Sequence, residues 1–110
     1  TYAAKLSKAE ARIDWAQPAI AIDRQVRAFN PWPVAETTWD GKQLRVWQCE
    51  PGPLPVGAAP GTVLESSGGR IVVATGEGAL HLLQLQLAGR RAMSAAEFLN
   101  ANSLAGARLG

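Results

Sequence analysis

Few residues of this sequence could take part in catalysis. His81 and Cys49 are the only histidine and cysteine among its 110 residues. Acid–base catalysis and metal binding both require partner side chains, and neither residue has a second His or Cys near it in sequence. We therefore interpret His81 as an ordinary strand residue. Cys49, close to Trp47, is interpreted as a small buried hydrophobe, with a reactive thiol as the alternative. We predict no catalytic residue and no metal ligand.

The glycine-containing segment at residues 75–78, Thr-Gly-Glu-Gly, is superficially similar to a phosphate-binding loop. It lacks the Lys-Ser/Thr pair of a P-loop, and the residues that follow it have the pattern of a strand instead of a helix. We interpret this segment as a hairpin turn. Ser66, Ser67 and Ser94 likewise fit turn or cap positions, so the residues alone indicate no enzyme active site.

The arginines and tryptophans could bind a ligand such as RNA without catalysing a reaction. Eight of the eleven basic residues are arginines, and nine carboxylates leave a net charge of +2. Guanidinium groups form forked hydrogen bonds with phosphate, so Arg90 and Arg91, in a predicted loop, are suited to contact RNA. A solvated surface is the alternative, since the net charge is small. Trp32, Trp39 and Trp47 could stack on bases, but such tryptophans more often belong to the core.

Cysteine content and hydropathy indicate the cellular setting. One cysteine cannot form an intramolecular disulfide, which favours a reducing cytoplasm. No apolar run approaches the roughly 20 residues of a membrane span, and we recognise no secretory signal. The chain starts with Thr1 and its first twelve residues are polar. We therefore expect residues 1–12 to be a basic linker from a preceding domain and residues 13–110 to form one domain.

A helix is predicted over residues 13–30. Its apolar residues recur every three or four positions, which is the pattern of one buried helix face. Asp14 or a neighbour would cap this helix and Pro18 fits its first turn. Pro31 would end it, because the residue before a proline avoids helical backbone angles. The apolar positions are Trp15, Ala19, Ile22, Val26 and Phe29.

The middle of the chain changes to the residue types and turn signals of strands. Asp40-Gly41 predicts a tight hairpin and Ser67-Gly68-Gly69 a second turn, while the Pro/Gly-rich residues 51–60 predict a loop. The five predicted strands cover residues 34–39, 43–50, 61–65, 70–75 and 79–87.

The predicted elements together indicate the fold class. Ser94 and Glu97 have the spacing of a capping box, which predicts a short helix to about Asn100. Five strands in a meander-like order are too few for a two-sheet sandwich, and closing the sheet would remove its edges. We therefore predict a mostly β fold, a small five-stranded OB-like barrel with an N-terminal helix and a short C-terminal helix.

Four longer motifs carry a resemblance to a known family. They are KLSKAEARIDW at residues 5–15, RAFNPWP at 27–33, PGTVLES at 60–66 and ATGEGALHLLQLQLAGRRAMSAAEFLN at 74–100. With these motifs in this order, nearly the whole chain resembles the C-terminal domain of the bacterial methionyl-tRNA formyltransferase family.

The resemblance implies a function for a larger protein. In that family an N-terminal domain transfers a formyl group from 10-formyltetrahydrofolate to the methionine amino group on initiator tRNA. Its catalytic Asn, His and Asp lie in that domain and have no counterpart here. The resemblance therefore implies a non-catalytic, tRNA-binding OB-like domain without a cofactor of its own, inactive alone. Its partners would be initiator methionyl-tRNA and the N-terminal domain of the same chain.

The resemblance also implies which residues contact tRNA. Lys5, Lys8 and Arg12 match the family's basic linker, and Arg90-Arg91 stands where the family has paired basic residues. The predicted phosphate contacts are Lys5, Lys8, Arg12, Arg27, Lys42, Arg45, Arg90 and Arg91. The FNPWP segment is predicted to be architectural and comprises Phe29, Asn30, Pro31, Trp32 and Pro33.

One alternative stays open at this point. Related formyltransferases that act on an amino sugar nucleotide or on formyl-folate carry a similar barrel, which there is a structural part of the enzyme. The segment at residues 86–89, Gln-Leu-Ala-Gly, departs mildly from the pattern of the tRNA enzymes. Basic residues that converge on one face would favour tRNA binding, and basic residues scattered over all faces would favour a structural barrel.

Overall fold

The structure, a computed structural model, describes residues 11–30, 34–52, 58–104 and 106–110. Two of the predicted phosphate contacts, Lys5 and Lys8, lie outside the described residues. The same is true of Pro31, Trp32 and Pro33 in the predicted architectural segment.

The chain folds into a mostly β domain with one helix near each end. Along the sequence, the helices and strands are α1 (Ala19–Ala28), β1 (Glu36–Trp39), β2 (Lys42–Gly52), β3 (Val63–Glu65), β4 (Ile71–Ala74), β5 (Ala79–Leu87), β6 (Met93–Ser94) and α2 (Ala95–Ala101). The predicted fold class is confirmed. Five strands form a curled antiparallel sheet, and β6 is a short sixth strand that the sequence analysis missed.

The order of the strands differs from the predicted meander. Neighbouring strands in the sheet are β1-β2-β5-β4-β3, and β6 pairs with β5 on the same edge as β4, next to the start of β4. The two longest strands, β2 and β5, thus lie side by side and pair from Leu44 to Gly52. The pairing of β2 with β5 forms more backbone hydrogen bonds than β2 could form with the three-residue β3, which explains why β2 pairs with β5 and not with β3.

The edges of the sheet are covered by segments near the two ends of the chain. The N–H of Glu36 in β1 donates to the carbonyl of Ala11 at 2.8 Å. Near the other end, the N–H of Leu109 donates to the carbonyl of Gly61 at 2.7 Å, and that of Gly110 donates to the carbonyl of Thr38 at 2.8 Å. The last residues thus bridge the chain before β3 to the free edge of β1, so these edge groups are not left for another chain to pair with.

Helix α1 begins later than predicted and is not capped by Asp14. Its N-cap is Pro18, which provides no side-chain hydrogen bond, and the helix starts at Ala19. The Asp14 carboxylate instead accepts from the N–H of Ala16 at 3.0 Å in a turn before the helix. The N–H of Ala19 donates to the carbonyl of Glu77 at 2.8 Å, so a neighbouring turn supplies the acceptor that a cap residue would otherwise provide.

The predicted turns and the second helix are confirmed. Asp40 and Gly41 have φ angles of 52° and 75°, which is the left-handed pair of a tight hairpin between β1 and β2. At α2, the Ser94 hydroxyl accepts from the N–H of Glu97, and the Glu97 carboxylate accepts from the N–H of Ser94. These hydrogen bonds form the predicted capping box.

The core lies between the concave face of the sheet and the two helices. Trp15 is buried, and its Nε1 donates to the Thr37 hydroxyl at 2.8 Å. Trp39 packs edge-to-face against Phe98 of α2, with ring centroids 5.8 Å apart. The largest fully buried side chains are Phe98, Ile22, Leu44, Ile71, Leu80, Leu82, Leu85, Leu104, Val46, Val73 and Thr37.

Candidate nucleic-acid interface

A groove lies between the end of α1 and the β2–β5 pair. Its volume is about 590 Å³. We call it the β2–β5 groove, and it is lined by Val26, Arg27, Asn30, Trp47, Gln48, Cys49, Gln84 and Ala92.

An irregularity in β2 builds one wall of this groove. In a regular strand, successive side chains point to opposite faces of the sheet, so consecutive residues do not line one surface. The pairing of β2 with β5 shifts register between Val46 and Gln48 and again between Gln48 and Cys49. Such shifts re-aim side chains, and here they bring the three consecutive residues Trp47, Gln48 and Cys49 to the same groove.

A chain of hydrogen bonds connects the groove to the loop after β5. Trp47 is half-buried, and its Nε1 donates to Oε1 of Gln86 at 2.9 Å. The amide nitrogen of Gln86 donates to the carbonyl of Arg90 at 2.8 Å. Trp47 thereby helps to hold the loop that carries Arg90 and Arg91 beside the groove.

A smaller cavity of about 170 Å³ lies on the same side of the sheet. Arg45 and Gln86, which face each other across β2 and β5, line it together with Gly89 of the loop. The Nε atom of Arg45 is buried and has no hydrogen-bond partner among the described residues. A buried N–H donor is costly unless it meets an acceptor, so an oxygen atom bound next to Arg45 would be stabilised by this group.

Two of the arginines near the groove are already paired with carboxylates. Arg27 donates to the buried Asp23 at 2.5 Å, and Arg91 donates to Glu97 at 3.1 Å. The hydrogen bond from the backbone N–H of Ser94, followed by the Arg91 guanidinium, holds the pKa of Glu97 below its usual range. These ion pairs neutralise part of the positive charge, whereas Arg90 is exposed and has no side-chain partner among the described residues.

Cys49 is no reactive thiol in this setting. It packs partly against the core, and its Sγ donates to Oδ1 of Asp23 at 3.7 Å. Burial, and then the negative charge of Asp23, raise the pKa of Cys49 to about 12. A thiol with such a pKa is protonated at neutral pH and is a poor nucleophile, which agrees with its interpretation as a small hydrophobe.

The other predicted phosphate contacts lie elsewhere. Lys42 is at the β1–β2 hairpin with its Nζ 5.8 Å from the centre of the Trp39 ring, and in β2 its position has the opposite parity to Arg45. Arg12 lines a second groove of about 540 Å³, formed by segments near both ends of the chain, together with Arg108. Sequence reasoning did not single out Arg108, because no motif surrounds it.

The structure places four of the predicted residues at or next to these two cavities. Arg27 lines the β2–β5 groove and Arg45 lines the smaller cavity, while Arg90 and Arg91 belong to the loop whose flanking residues Gly89 and Ala92 line the two cavities. Arg12 and Lys42 lie elsewhere. Trp47 was interpreted as core, but it lines the groove. The side chain of Asn30 donates to the carbonyl of Trp47 at 3.1 Å, which ties the end of α1 to β2.

Two further observations concern the described part of the chain alone. Within residues 11–30, 34–52, 58–104 and 106–110, no three His, Cys, Asp or Glu side chains are placed to share a metal ion. Across the same residues, no helix has the length and hydropathy needed to cross a membrane.

Comparison with known families decides where the chain belongs. The model of the family described as the formyl transferase C-terminal domain matches residues 5–103. This chain belongs to that family. The resemblance inferred from the sequence motifs is confirmed.

Relatives of this formyl transferase C-terminal domain include longer proteins that contain it as one part. A methionyl-tRNA formyltransferase of Methylococcus capsulatus is 50% identical over 100% of this chain and 35% of its own length. One of Nitrosococcus oceani is 52% identical over 94% of this chain and 32% of its own length. The chain thus spans about a third of the length of these relatives and matches their C-terminal part.

A solved structure has the same fold at lower sequence similarity. HypX from Aquifex aeolicus, in complex with tetrahydrofolic acid, superposes with a TM-score of 0.72 and is 22% identical. The match covers 86% of this chain and 17% of that chain. At this identity the comparison shows a shared fold and no more.

Proposed function

We propose that this domain binds the tRNA substrate of a methionyl-tRNA formyltransferase and holds it for a separate catalytic domain. The observation that carries the proposal is that Arg27 lines the β2–β5 groove and Arg45 the neighbouring cavity, with Arg90 and Arg91 in the loop between Gly89 and Ala92, which line the two cavities. The roughly 50% identity to enzymes of that name supports the choice of substrate. The whole protein would act in translation initiation in the cytoplasm, with 10-formyltetrahydrofolate as formyl donor.

The domain would contribute binding energy and not bond-making. Arginines on a loop and a strand contact phosphates through forked hydrogen bonds, which position an RNA without reading its sequence. Holding the tRNA next to the catalytic domain raises the effective concentration of the aminoacyl end at that domain. We expect Arg90 to contribute most, because Arg27 and Arg91 are each shared with a carboxylate.

The test uses the full-length protein with Arg90→Ala and Arg91→Ala combined. We expect a higher KM for initiator tRNA with kcat largely unchanged, which is the pattern of lost uniform binding. Each lost phosphate contact lowers the slope of log affinity against log salt by roughly 0.7–0.9, so the double variant should flatten this plot by about one unit or slightly more. Different tRNAs should be affected alike.

The matched control is Arg24→Ala combined with Arg70→Ala. Both residues are exposed arginines outside the β2–β5 groove, so this variant removes the same net charge from other places. It should leave KM and the salt slope close to those of the unsubstituted protein. If the Arg90/Arg91 variant also leaves both quantities unchanged, the arginines are a solvated surface, and the structural-barrel alternative is favoured.

A further inference from the structure

We infer that the β2–β5 groove binds one unpaired nucleotide of the RNA, with its base stacked on Trp47 and its phosphate held by Arg45 and Arg90. This inference rests on the proposed function and adds a defined site to it. The arginine pattern alone requires only contact with a phosphate backbone, whereas the groove next to it carries the features of a base-binding site.

Trp47 supplies a stacking surface in the wall of the groove. Trp47 follows the buried Val46, so the alternation of the strand places it on the face opposite the core, and it stays half-buried. Its Nε1 donates to Gln86, which orients the ring, and its backbone carbonyl accepts from Asn30, which holds the backbone of β2 at this point. A pre-oriented aromatic face loses little entropy when a base stacks on it, and every base has a face suited to stacking.

Side-chain amides surround this aromatic face. Gln48 and Gln84 line the groove, and neither side chain has a hydrogen-bond partner among the described residues. An amide offers both donors and an acceptor, which matches the mixed donor and acceptor edge of an exposed base. A volume of about 590 Å³ lies within the range of small-ligand sites.

The phosphate would lie towards the smaller cavity. Arg45 precedes Trp47 by two residues in β2, and the buried Nε of Arg45 has no acceptor among the described residues. The carbonyl of Arg90 accepts from Gln86, the same side chain that accepts from Trp47, so the Arg90 backbone is tied to the stacking residue. A phosphate oxygen next to the stacked base would satisfy Arg45 and meet the free guanidinium of Arg90.

The experiment compares four variants of the full-length protein. Trp47→Leu removes the aromatic face and Trp47→Phe keeps one. Gln86→Leu removes the two hydrogen bonds that tie Trp47 to the loop through Gln86. Arg90→Ala with Arg91→Ala tests the proposed function. Affinity is measured against salt concentration for initiator tRNA and for single-stranded eight-residue oligoadenylate. Thermal unfolding of each variant checks that it folds.

Loss of stacking has its own signature. Trp47→Leu should weaken binding of both RNAs by about 5- to 150-fold, since one stacked base contributes on that order. The salt slope should stay unchanged, because stacking releases no counterions. Trp47→Phe and Gln86→Leu keep an aromatic face but lose its tie to the loop, so each should weaken binding less than Trp47→Leu does. Oligoadenylate should also quench the tryptophan fluorescence of the unsubstituted protein, and Trp47→Phe should lose that response even if Trp47→Leu does not fold.

The other outcomes overturn the inference in distinguishable ways. If Trp47→Leu binds like the unsubstituted protein while the Arg90/Arg91 variant binds tRNA weakly, there is no nucleotide site, but the proposed function stands. If Gln86→Leu weakens binding as much as Trp47→Leu, Trp47 acts only by positioning the loop. If none of the variants alters binding of either RNA, both proposals are wrong.

Discussion

At the scale of single residues, Cys49 illustrates how the environment decides chemistry. A lone cysteine in a groove is open to interpretation as a nucleophile or as a hydrophobe. The carboxylate of Asp23 accepts a hydrogen bond from its thiol, and burial with that negative charge raises the pKa of Cys49 to about 12. The buried Asp23 is in turn paired with Arg27. The arrangement keeps the thiol protonated, so Cys49 contributes packing to the groove wall and no reactivity.

Cys49 should therefore react slowly with a thiol reagent while the chain is folded. At pH 8 we expect modification by 5,5′-dithiobis(2-nitrobenzoate) to be much slower in the native protein than in urea, where the thiol regains its ordinary pKa. Fast modification of the native protein, at a rate near that of the unfolded chain, would contradict the assigned environment.

The same group should make stability fall at high pH. The pKa is 9.0 in the unfolded reference and about 12 in the folded state, so the unfolded chain ionises first as pH rises. Its contribution to stability is thus fully present below pH 9 and is lost between about pH 9 and 12. In urea titrations, the free energy of unfolding should fall more steeply over this window for the unsubstituted protein than for Cys49→Ala. Equal slopes would show that Cys49 does not titrate with a raised pKa.

At the scale of helices and strands, the sequence predicted the features that depend on neighbouring residues. It did not predict those that depend on contacts between residues distant in sequence. Asp40-Gly41 and the Ser94–Glu97 capping box act within a few residues, and both were located correctly. The start of α1 was placed too early, because residues 11–13 pair with β1, a contact between positions distant in sequence. β6 is two residues long and exists only because β5 offers a partner. No local pattern encodes such an element.

The hairpin between β1 and β2 provides a test at this scale. Gly41 has a φ of 75°, and a Cβ atom there would meet no heavy atom within 4 Å. Gly41→Val should therefore destabilise the domain through backbone strain alone, by roughly 1–3 kcal/mol, since a β-branched residue resists positive φ. Chemical denaturation measures this difference.

The matched control at the hairpin is Gly41→Asn. Asparagine adopts left-handed backbone angles far more readily than valine, so it should cost much less stability at the same position. Equal losses for the two variants would point to a cause other than backbone conformation, and an unchanged midpoint for Gly41→Val would contradict the assigned turn.

At the scale of the whole molecule, the sequence identified the family but not the layout of its charged surface. The number and type of basic residues were readable, yet their grouping depends on the pairing of β2 with β5, which brings Arg45 beside the loop of Arg90. The groove itself depends on the register shift at Trp47. Trp47 was interpreted as core because tryptophans on strands more often are, although it follows the buried Val46 and strand alternation places it on the opposite face.

The last prediction follows from assigning tRNA binding to this chain and formyl transfer to a separate domain. The chain spans about a third of the relatives' length, and we assign to it tRNA binding without bond-making. The 110-residue chain alone should therefore transfer no formyl group from 10-formyltetrahydrofolate to methionyl-tRNA. Added to the full-length protein, it should act as a competitive inhibitor with respect to tRNA, raising the apparent KM without changing kcat, because both compete for the same RNA surface.

Salt dependence and a matched variant show whether the inhibition depends on phosphate contacts made by Arg90 and Arg91. Because the inhibition depends on phosphate contacts, it should weaken steeply as salt is raised. The Arg90→Ala/Arg91→Ala form of the chain should inhibit less than the Arg24→Ala/Arg70→Ala form, although both carry the same net charge. Equal inhibition by the two forms would mean that the chain acts through its overall charge and not through the side that carries Arg90. Formyl transfer by the purified chain would overturn the assignment of the chemistry to a separate domain.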